Sequence, residues 1–287
     1  MTAAASRSAP PIRHSIARDD EWNIEALDID AYLDRIGYVG SLDPTVDTLR
    51  ALHRAHATVI PFENLEIPLG RGVSLDLAAI QTKLVRHRRG GYCFEQNTLF
   101  AALLERLGFE VHRYVARVEP KKPGPRTHML LNVIVEGERW HADVGFGAAL
   151  LEPVPLRDGA VVHQDAWTHG VVRSDDGSWT LRSLGPDGWT DLYAYTREPQ
   201  HPIDYAVYNH YTATHPRSPF VDQVVAIRLT PSERYTLRNR LLIVHRADGA
   251  SEQREVSATD LIDTLRHTFG IELEPGDAER LMTTLAP

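Results

Sequence analysis

The sequence predicts an α+β protein of several domains, with a helical first third, a β-rich middle third and a mixed last third. Up to Gly108, apolar residues recur at helical spacing, whereas beyond Gly108 the period shortens to two, as in strands. The chain has 287 residues, of which 43% are hydrophobic and 24% charged, so it can bury a substantial core. We expect the middle third to form a barrel or a sandwich.

Four amphipathic helices are predicted before Gly108, at 24–35, 43–60, 75–89 and 93–107. Asp43 is the expected N-cap of the second helix, with Pro44 at its first position, and Ser74 is the expected N-cap of the third. The third helix ends in basic residues before a Gly-Gly pair, as helix C-termini commonly do.

The β-rich part is predicted to begin with strands at 110–118, 128–135 and 139–145, followed by shorter strands at 160–173, 179–184 and 191–196. The last third is predicted to hold a linker at 202–219, strands at 224–229 and 241–246, and a terminal helix at 259–269. Residues 1–20 lack the apolar stretch of a signal peptide, so we expect a flexible leader.

Composition excludes several classes of protein. The formal net charge of −8 disfavours nucleic acid as a partner, and no apolar run is long enough to span a membrane. Cys93 is the only cysteine, so neither an intramolecular disulfide nor a Cys-rich metal site can form. We therefore predict a cytoplasmic protein with no metal, no nucleic-acid partner and no membrane partner.

Cys93 is the residue whose setting suggests chemistry. It follows Gly90-Gly91 and opens a predicted helix, where unpaired N–H groups and the helix dipole favour thiolate over thiol. Arg88 and Arg89 precede it and could strengthen that positive field. The alternative is a buried cysteine with a structural role only.

A cysteine nucleophile needs a base, and a predicted hairpin singles out His128 among 14 histidines. If the loop of this hairpin is the two residues 136–137, Asp143 becomes the diagonal neighbour of His128 on one face of the sheet. The carboxylate would then orient the imidazole that deprotonates Cys93. A three-residue loop would instead send Asp143 to the opposite face.

Two groups of basic residues flank these positions: Lys83, Arg86, Arg88 and Arg89 before the cysteine, and Lys121, Lys122 and Arg126 before the histidine. They suit a basic rim for a substrate carrier bearing phosphates. The alternative is an ordinary helix terminus and a solvated loop.

Four motifs occur in the order found in a known family: Pro-Phe-Glu-Asn-Leu at 61–65, Arg-Gly-Gly-Tyr-Cys-Phe-Glu-Gln-Asn at 89–97, Thr-His-Met-Leu-Leu at 127–131 and Asp-Val-Gly-Phe-Gly at 143–147. Together they resemble the arylamine N-acetyltransferases, in particular the bacterial members. The similarity extends from about Ile29 to the C-terminus, so only the leader falls outside it.

This resemblance implies a helical domain, a β-barrel and an α/β lid, with a core related to papain-like and transglutaminase-like thiol enzymes. The expected division is a leader at 1–20, the helical domain at 21–108, the barrel at 109–201, an interdomain segment at 202–220 and the lid at 221–287.

The resemblance also implies a Cys-His-Asp triad of Cys93, His128 and Asp143. Acetyl-CoA would acetylate the cysteine, and an arylamine, arylhydrazine or hydrazide would then take the acetyl group, as in xenobiotic metabolism. The Cys93 N–H is the expected donor to the tetrahedral oxyanion. We expect these small molecules as partners, acetyl-CoA as co-substrate, and a monomer or homodimer.

By the same matching, the acceptor pocket would be lined by Phe62, Phe146 and Phe220, and CoA would contact Thr127, Gly147 and His245. Glu63 and Arg89 match a buried pair that supports the active site. Three other functions stay open: an amide synthase acting on a carrier-bound polyketide chain, a non-catalytic ligand-binding relative, and a cysteine peptidase.

Overall fold

The computed structural model describes residues 21–285, so the predicted leader at 1–20 lies outside the described residues. Within this range the chain combines helices with two antiparallel sheets, one of eight strands and one of five. This confirms the predicted mixture of helix and sheet. In the same range, no helix has both the length and the apolar character needed to cross a bilayer.

Helices dominate the first part and return after the larger sheet. They are α1 (Ile29–Ile36), α2 (Val46–Val59), α3 (Leu77–Gln81), α4 (Cys93–Arg106), α5 (Pro202–Thr214), α6 (Leu261–Thr264) and α7 (Pro275–Thr284). A 3-10 turn covers Ile24–Ala26, and π-helical turns continue α3 over Thr82–Arg86 and α6 over Leu265–Phe269.

The predicted helix caps were wrong by two residues. Thr45 caps α2 by accepting the Thr48 N–H at 3.2 Å, and Asp76 caps α3 by accepting the Ala79 N–H at 2.9 Å. Asp43 instead contacts Ser41, so it lies in the preceding turn and not at the helix start. In each helix, a side-chain oxygen of the capping residue accepts a first-turn N–H. Several polar residues lie near each helix start and could make the same bond, so the sequence alone did not identify the cap.

The strands are β1 (Phe62–Glu63), β2 (Glu110–Val118), β3 (His128–Val135), β4 (Glu138–Ala142), β5 (Val154–Pro155), β6 (Val161–Gln164), β7 (Trp167–Arg173), β8 (Trp179–Gly185), β9 (Gly188–Tyr195), β10 (Val225–Leu229), β11 (Glu233–Arg238), β12 (Leu241–Arg246) and β13 (Ser251–Glu255). The larger sheet has the order β5-β4-β3-β2-β9-β8-β7-β6 and curls into a nearly closed barrel in which β5 contacts β7. The smaller has the order β1-β10-β11-β12-β13.

The β3–β4 hairpin has the predicted two-residue loop, because Val135 pairs with Glu138. Glu136 and Gly137 both have positive φ, 53° and 76°, which is the turn geometry that matches strand twist. Strand β4 ends at Ala142 and not at residue 145 as predicted. The backbone leaves the sheet there because side chains, and not a neighbouring strand, bind the next N–H groups.

The segment predicted as a linker is largely helical, since α5 occupies Pro202–Thr214. Proline stands at its first position, where no intrahelical N–H is needed, and Asp204 accepts the His201 N–H at 2.8 Å. The sequence pattern therefore missed a helix in this segment, whereas its role as a connection between domains stays a prediction. Polar residues on this helix hide its periodicity from a reading based on apolar spacing.

Helix α4 runs through the main hydrophobic core. Every residue from Cys93 to Leu104 is buried, and the helix packs against β2 and β3. A helix buried on all sides is held by packing more firmly than its own hydrogen bonds could hold it. Cys93, the first residue of this helix, is therefore held rigidly, and it lies beside His128, the first residue of β3.

Candidate active site

Cys93 is the first residue of α4, as predicted, and only 5% of it is exposed. Its Sγ lies 3.6 Å from the Thr127 carbonyl oxygen. The Glu95 carboxylate accepts the Tyr92 N–H at 3.0 Å, which completes the helix cap one residue before the cysteine. The first-turn N–H groups next to the sulfur have no carbonyl one turn earlier, so they favour negative charge there.

His128 and Asp143 are in direct contact. The Nε2 of His128 lies 2.7 Å from Oδ2 of Asp143, and both side chains are almost completely buried. Burial lowers the pKa of His128, but the Asp143 carboxylate, helped by the Cys93 side chain, outweighs burial and raises it to about 10. Since Nε2 is bound to Asp143, Nδ1 is the nitrogen left for the thiol.

Asp143 accepts four hydrogen bonds. Oδ2 accepts from His128 Nε2 and from the Tyr193 hydroxyl at 2.6 Å, while Oδ1 accepts from Asn97 Nδ2 and from the Gly145 N–H, each at 2.9 Å. Burial raises the pKa of this carboxyl, but the charge of His128 and these hydrogen bonds hold it well below its usual range. Asp143 is thus a fixed anion, and it stabilises the protonated imidazole of His128.

A network of buried charges lies beneath the start of α4. Arg89 Nη2 is 2.8 Å from Glu63 Oε1, and Lys83 Nζ is 2.7 Å from Glu95 Oε1. Burial raises the pKa of Glu63, but Arg89 and Lys83 bring it below its ordinary value. The expected Glu63–Arg89 pair is therefore present. Arg89 is paired with Glu63 and Glu66, so nearby carboxylates balance its charge, and its contribution to the field at Cys93 stays a prediction.

The three phenylalanines predicted to bind the acceptor form two groups. The rings of Phe62 and Phe220 have centroids 5.9 Å apart, while Phe146 lies 5.0 Å from His128 with its ring nearly perpendicular to the imidazole. Phe62 also forms a bridge with Gly91, two residues before the cysteine. An aromatic ring thus lies against His128, and two more belong to a segment that pairs with the backbone just before Cys93, an arrangement suited to a flat apolar ligand.

The three positions predicted to contact CoA lie in different surroundings. Thr127 presents its carbonyl to the Cys93 sulfur. Gly147 packs against Phe62, where an added Cβ would come within 2.5 Å of the Phe62 Cβ. His245 lies on β12 opposite Arg234, whose Nη1 is 3.4 Å from the carbonyl oxygen of Ala148, the residue after Gly147.

The basic side chains expected to form a rim are mostly paired with acids. Partners lie within ion-pair distance for Lys121 with Asp191, Lys122 with Glu119, Arg126 with Glu198 and Arg88 with Glu272. Local pairing neutralises this charge, which favours the alternative of a solvated loop and an ordinary helix terminus. Among residues 21–285, no group of three His, Cys, Asp or Glu side chains is placed to hold a metal ion.

Sequence reasoning missed three side chains that hold Asp143. They are Asn97 and Tyr193, described above, and His53, whose Nε2 accepts the Asp143 N–H at 3.1 Å. Asn97 had a readable signal, because it lies four residues after Cys93 and so on the same helix face. The other two come from α2 and β9, and no local pattern relates those elements to the hairpin.

Comparison with known proteins gives consistent results. The profile of a family described as N-acetyltransferase matches residues 45–278. The arylamine N-acetyltransferase of Mycobacterium tuberculosis strain H37Rv is 41% identical over 259 residues, which cover 86% of this chain and 90% of that protein.

Solved structures agree. The arylamine N-acetyltransferase of Mycobacterium abscessus superposes with a TM-score of 0.89 at 38% identity, covering 93% of this chain and 97% of that one. The Mycobacterium marinum enzyme, solved in complex with CoA, has a TM-score of 0.83 at 35% identity, covering 90% of this chain and 98% of that one.

Proposed function

The chain belongs to the arylamine N-acetyltransferase family, and we propose that it moves the acetyl group of acetyl-CoA to an arylamine, arylhydrazine or hydrazide through an acetyl-Cys93 intermediate. The observation that carries this proposal is the contact between His128 Nε2 and Asp143 Oδ2 at 2.7 Å, beside the single thiol of the chain. A thiol, a base and an orienting carboxylate are the parts that covalent acyl transfer requires.

In the first half-reaction, the Cys93 sulfur attacks the thioester carbonyl of acetyl-CoA. His128 holds the proton that leaves the thiol and delivers it to the sulfur of CoA as the old carbon–sulfur bond breaks. One thioester is exchanged for another, so the step is nearly neutral in energy. Asp143 stays ionised throughout and stabilises the imidazolium.

In the second half-reaction, the acceptor nitrogen attacks the acetyl carbon on Cys93. His128 takes a proton from the nitrogen and returns it to the cysteine as the thioester breaks. Because CoA has left before the acceptor enters, both substrates can use the same cleft. The Cys93 N–H, in the first turn of α4, is our candidate donor to the tetrahedral oxygen, a contact typically worth about 3 kcal/mol.

We assign Phe62, Phe146 and Phe220 to the acceptor. The Phe146 ring lies against the imidazole of His128, and Phe62, whose ring contacts Phe220, pairs through its backbone with Gly91 near Cys93. We assign Thr127, Gly147 and His245 to the CoA side, and the M. marinum structure in complex with CoA supports a CoA site in this fold. In this proposal the helical part (21–108) supplies the nucleophile, the barrel (109–201) supplies the base and the carboxylate, and 202–220 connects them to a lid (221–287).

Initial-rate kinetics test this function. With acetyl-CoA and a small arylamine or hydrazine varied together, the proposed route gives parallel lines in double-reciprocal plots. Free CoA should also exchange with acetyl-CoA in the absence of acceptor. Intersecting lines, with no CoA exchange, would contradict an acetyl-cysteine route. Complete failure to use acetyl-CoA, with Cys93 still alkylated readily, would point to a different acyl donor.

A further inference from the structure

We propose that Asn97 is the positioning residue that sets Asp143 and His128 relative to Cys93, an inference that rests on the proposed role of these three residues. Asn97 lies one turn after Cys93 on α4, and its side chain is fully buried. Residues four apart on a helix project from the same face. The carboxamide therefore points into the site from the helix that carries the sulfur.

All the principal hydrogen-bonding groups of this carboxamide are used. Nδ2 donates to Asp143 Oδ1 at 2.9 Å and to the Met129 carbonyl at 2.8 Å, while Oδ1 accepts the Val144 N–H at 3.2 Å. The two acceptors near Nδ2 and the donor near Oδ1 leave only one orientation for the amide. The side chain is thus a rigid bridge.

The three partners lie in two parts of the proposed catalytic machinery, and Asn97 itself lies in the third, helix α4. Met129 follows His128 on β3, and Val144 follows Asp143 in the loop after β4. Asn97 therefore joins the helix of the nucleophile to the strand of the base and to the loop of the carboxylate. By occupying Oδ1 of Asp143, it leaves Oδ2 directed at the imidazole.

The packing next to Asn97 supports this role. A Cβ at Gly145 would lie 2.6 Å from Asn97 Nδ2 and 2.7 Å from the Cys93 Cα. Only glycine fits between the nucleophile and the bridge, since real Cβ contacts are not this short. The loop therefore approaches α4 closely enough for the amide to reach both Asp143 and Val144.

The substitution Asn97→Asp makes a specific test possible because it keeps the shape of the side chain and replaces the donor group Nδ2 with a carboxyl oxygen. Two carboxyl groups at hydrogen-bond distance resist ionising together, so the pair would keep one shared proton well above the ordinary pKa of a carboxyl group. The charge of His128 favours Asp143 as the anion, and residue 97 as the acid could then donate its one O–H to Oδ1. The bridge would hold at low pH and fail when that proton is lost, between about pH 7 and pH 9.

The experiment compares wild type, Asn97→Asp, Asn97→Leu and the control Gln164→Glu. Gln164 is also a buried carboxamide, bound to the backbone of Leu151 and Glu152 by three hydrogen bonds without touching the triad. Single-turnover acetylation of Cys93 by acetyl-CoA is followed by intact mass from about pH 6 to about pH 9. Alkylation of Cys93 by iodoacetamide at about pH 6, and melting curves at each pH, accompany it.

At the acid end of the range, we expect the rate of Cys93 acetylation in Asn97→Asp to lie within about tenfold of the wild-type rate. As pH rises, this rate should fall at least a further tenfold, whereas the rates of wild type and Gln164→Glu should show no such fall. Asn97→Leu should be alkylated at least about tenfold more slowly than wild type.

Two results would overturn the proposal. One is a folded Asn97→Asp whose acetylation rate depends on pH in the same way as that of wild type, and the other is Asn97→Leu alkylated at the wild-type rate. Wild type that is alkylated but never acetylated would refute the proposed function instead, and the alkylation rates would still test Asn97. If Asn97→Leu does not fold, the profile of Asn97→Asp decides alone.

Discussion

Tyr193 donates its hydroxyl hydrogen to Oδ2 of Asp143 at 2.6 Å, the same carboxylate oxygen that binds His128. The tyrosine ring also lies against the imidazole, with centroids 4.6 Å apart. One side chain on β9 thus contacts both members of the proposed Asp–His pair. Its position restrains the carboxylate from one side while the helix α4 restrains it from the other.

Behind Tyr193 runs a buried chain of hydrogen bonds with a single direction. Asn132 Nδ2 donates to Tyr195 Oη, and the two nitrogens of His141 contact Tyr195 Oη at 3.0 Å and Tyr193 Oη at 2.8 Å. Burial lowers the pKa of His141 to about 4, so the ring is neutral and carries one hydrogen. Since Tyr193 gives its own hydrogen to Asp143, it accepts the one ring hydrogen of His141 from Nε2, and Nδ1 is left to accept from the Tyr195 hydroxyl. The hydrogens from Tyr195 onward therefore point toward Asp143.

We predict that Tyr193→Phe costs about 1–3 kcal/mol of stability, because it leaves the His141 N–H without an acceptor. Urea unfolding near neutral pH measures this cost. Tyr38→Phe removes an exposed hydroxyl bond and serves as the control, expected to stay within about 0.5 kcal/mol of wild type. Equal stability of the two variants would mean that the chain does not have the direction described.

Gly147→Ala should destabilise the protein and disturb the proposed acceptor pocket. Gly147 has φ of 74°, and the new Cβ would meet the Phe62 side chain. Gly159→Ala separates the cost of the positive φ from the cost of the contact with Phe62. Gly159 has φ of 73°, but nothing lies within 4 Å of its Cβ position. We expect Gly147→Ala to lose about 1–3 kcal/mol more than the control in urea unfolding, with a higher KM for the arylamine. Equal losses of stability in the two variants would show that the Phe62 side chain shifts to make room for the new methyl group at no cost in stability.

Arg89→Leu should cost about 3–5 kcal/mol, because it leaves the Glu63 carboxylate buried with Lys83 as its remaining cation. Loss of Arg89 raises the folded pKa of Glu63 toward or above its unfolded value, so the loss of stability grows as pH rises through the acid range. Adding Glu63→Gln should recover part of the stability. Unfolding curves of the single and double variants at two pH values measure both effects, and no recovery would count against this account.

Acid should destabilise the protein through its buried neutral histidines. Burial lowers the pKa to about 4 for His53 and His141 and to about 3 for His56. Between these values and the unfolded value of about 6.5, only the unfolded chain takes up the proton. The three neutral rings therefore contribute fully to the free energy of unfolding above about pH 6.5. On acidification this contribution falls by about 1.4 kcal/mol per pH unit for each ring.

Urea unfolding at about pH 7 and about pH 5 checks this slope. His267→Asn changes an exposed histidine and should leave the slope as it is in wild type. A free energy of unfolding that stays constant over this range would contradict the buried, neutral state of the three rings.

Local sequence was enough to predict the hairpin and the helix that carry the proposed triad. The strands at 110–118 and 128–135 were predicted with the bounds that the structure shows. The loop at 136–137 allowed few registers, so the proximity of His128 and Asp143 followed from one strand pair. Gly-Gly before Cys93 marked the start of α4 in the same way. These features depend on neighbours in sequence.

Features that depend on distant parts of the chain escaped prediction. Strand β13 is exposed along its whole length and has no apolar alternation, so only its pairing with β12 makes it a strand. Tyr193 reaches Asp143 through the curvature of the barrel, and His53 reaches it from α2. Neither contact leaves a pattern in the sequence around either partner.

The intact mass of the protein after brief exposure to acetyl-CoA without acceptor tests the central claim most directly, with Cys93→Ala as the comparison. Because the chain has a single cysteine, an acetylated thiol gives one defined product. We predict that wild type gains one acetyl group, that Cys93→Ala gains none, and that an arylamine or hydrazine removes the group from wild type. Wild type that remains unmodified, or an equal gain on Cys93→Ala, would contradict the acetyl-cysteine route.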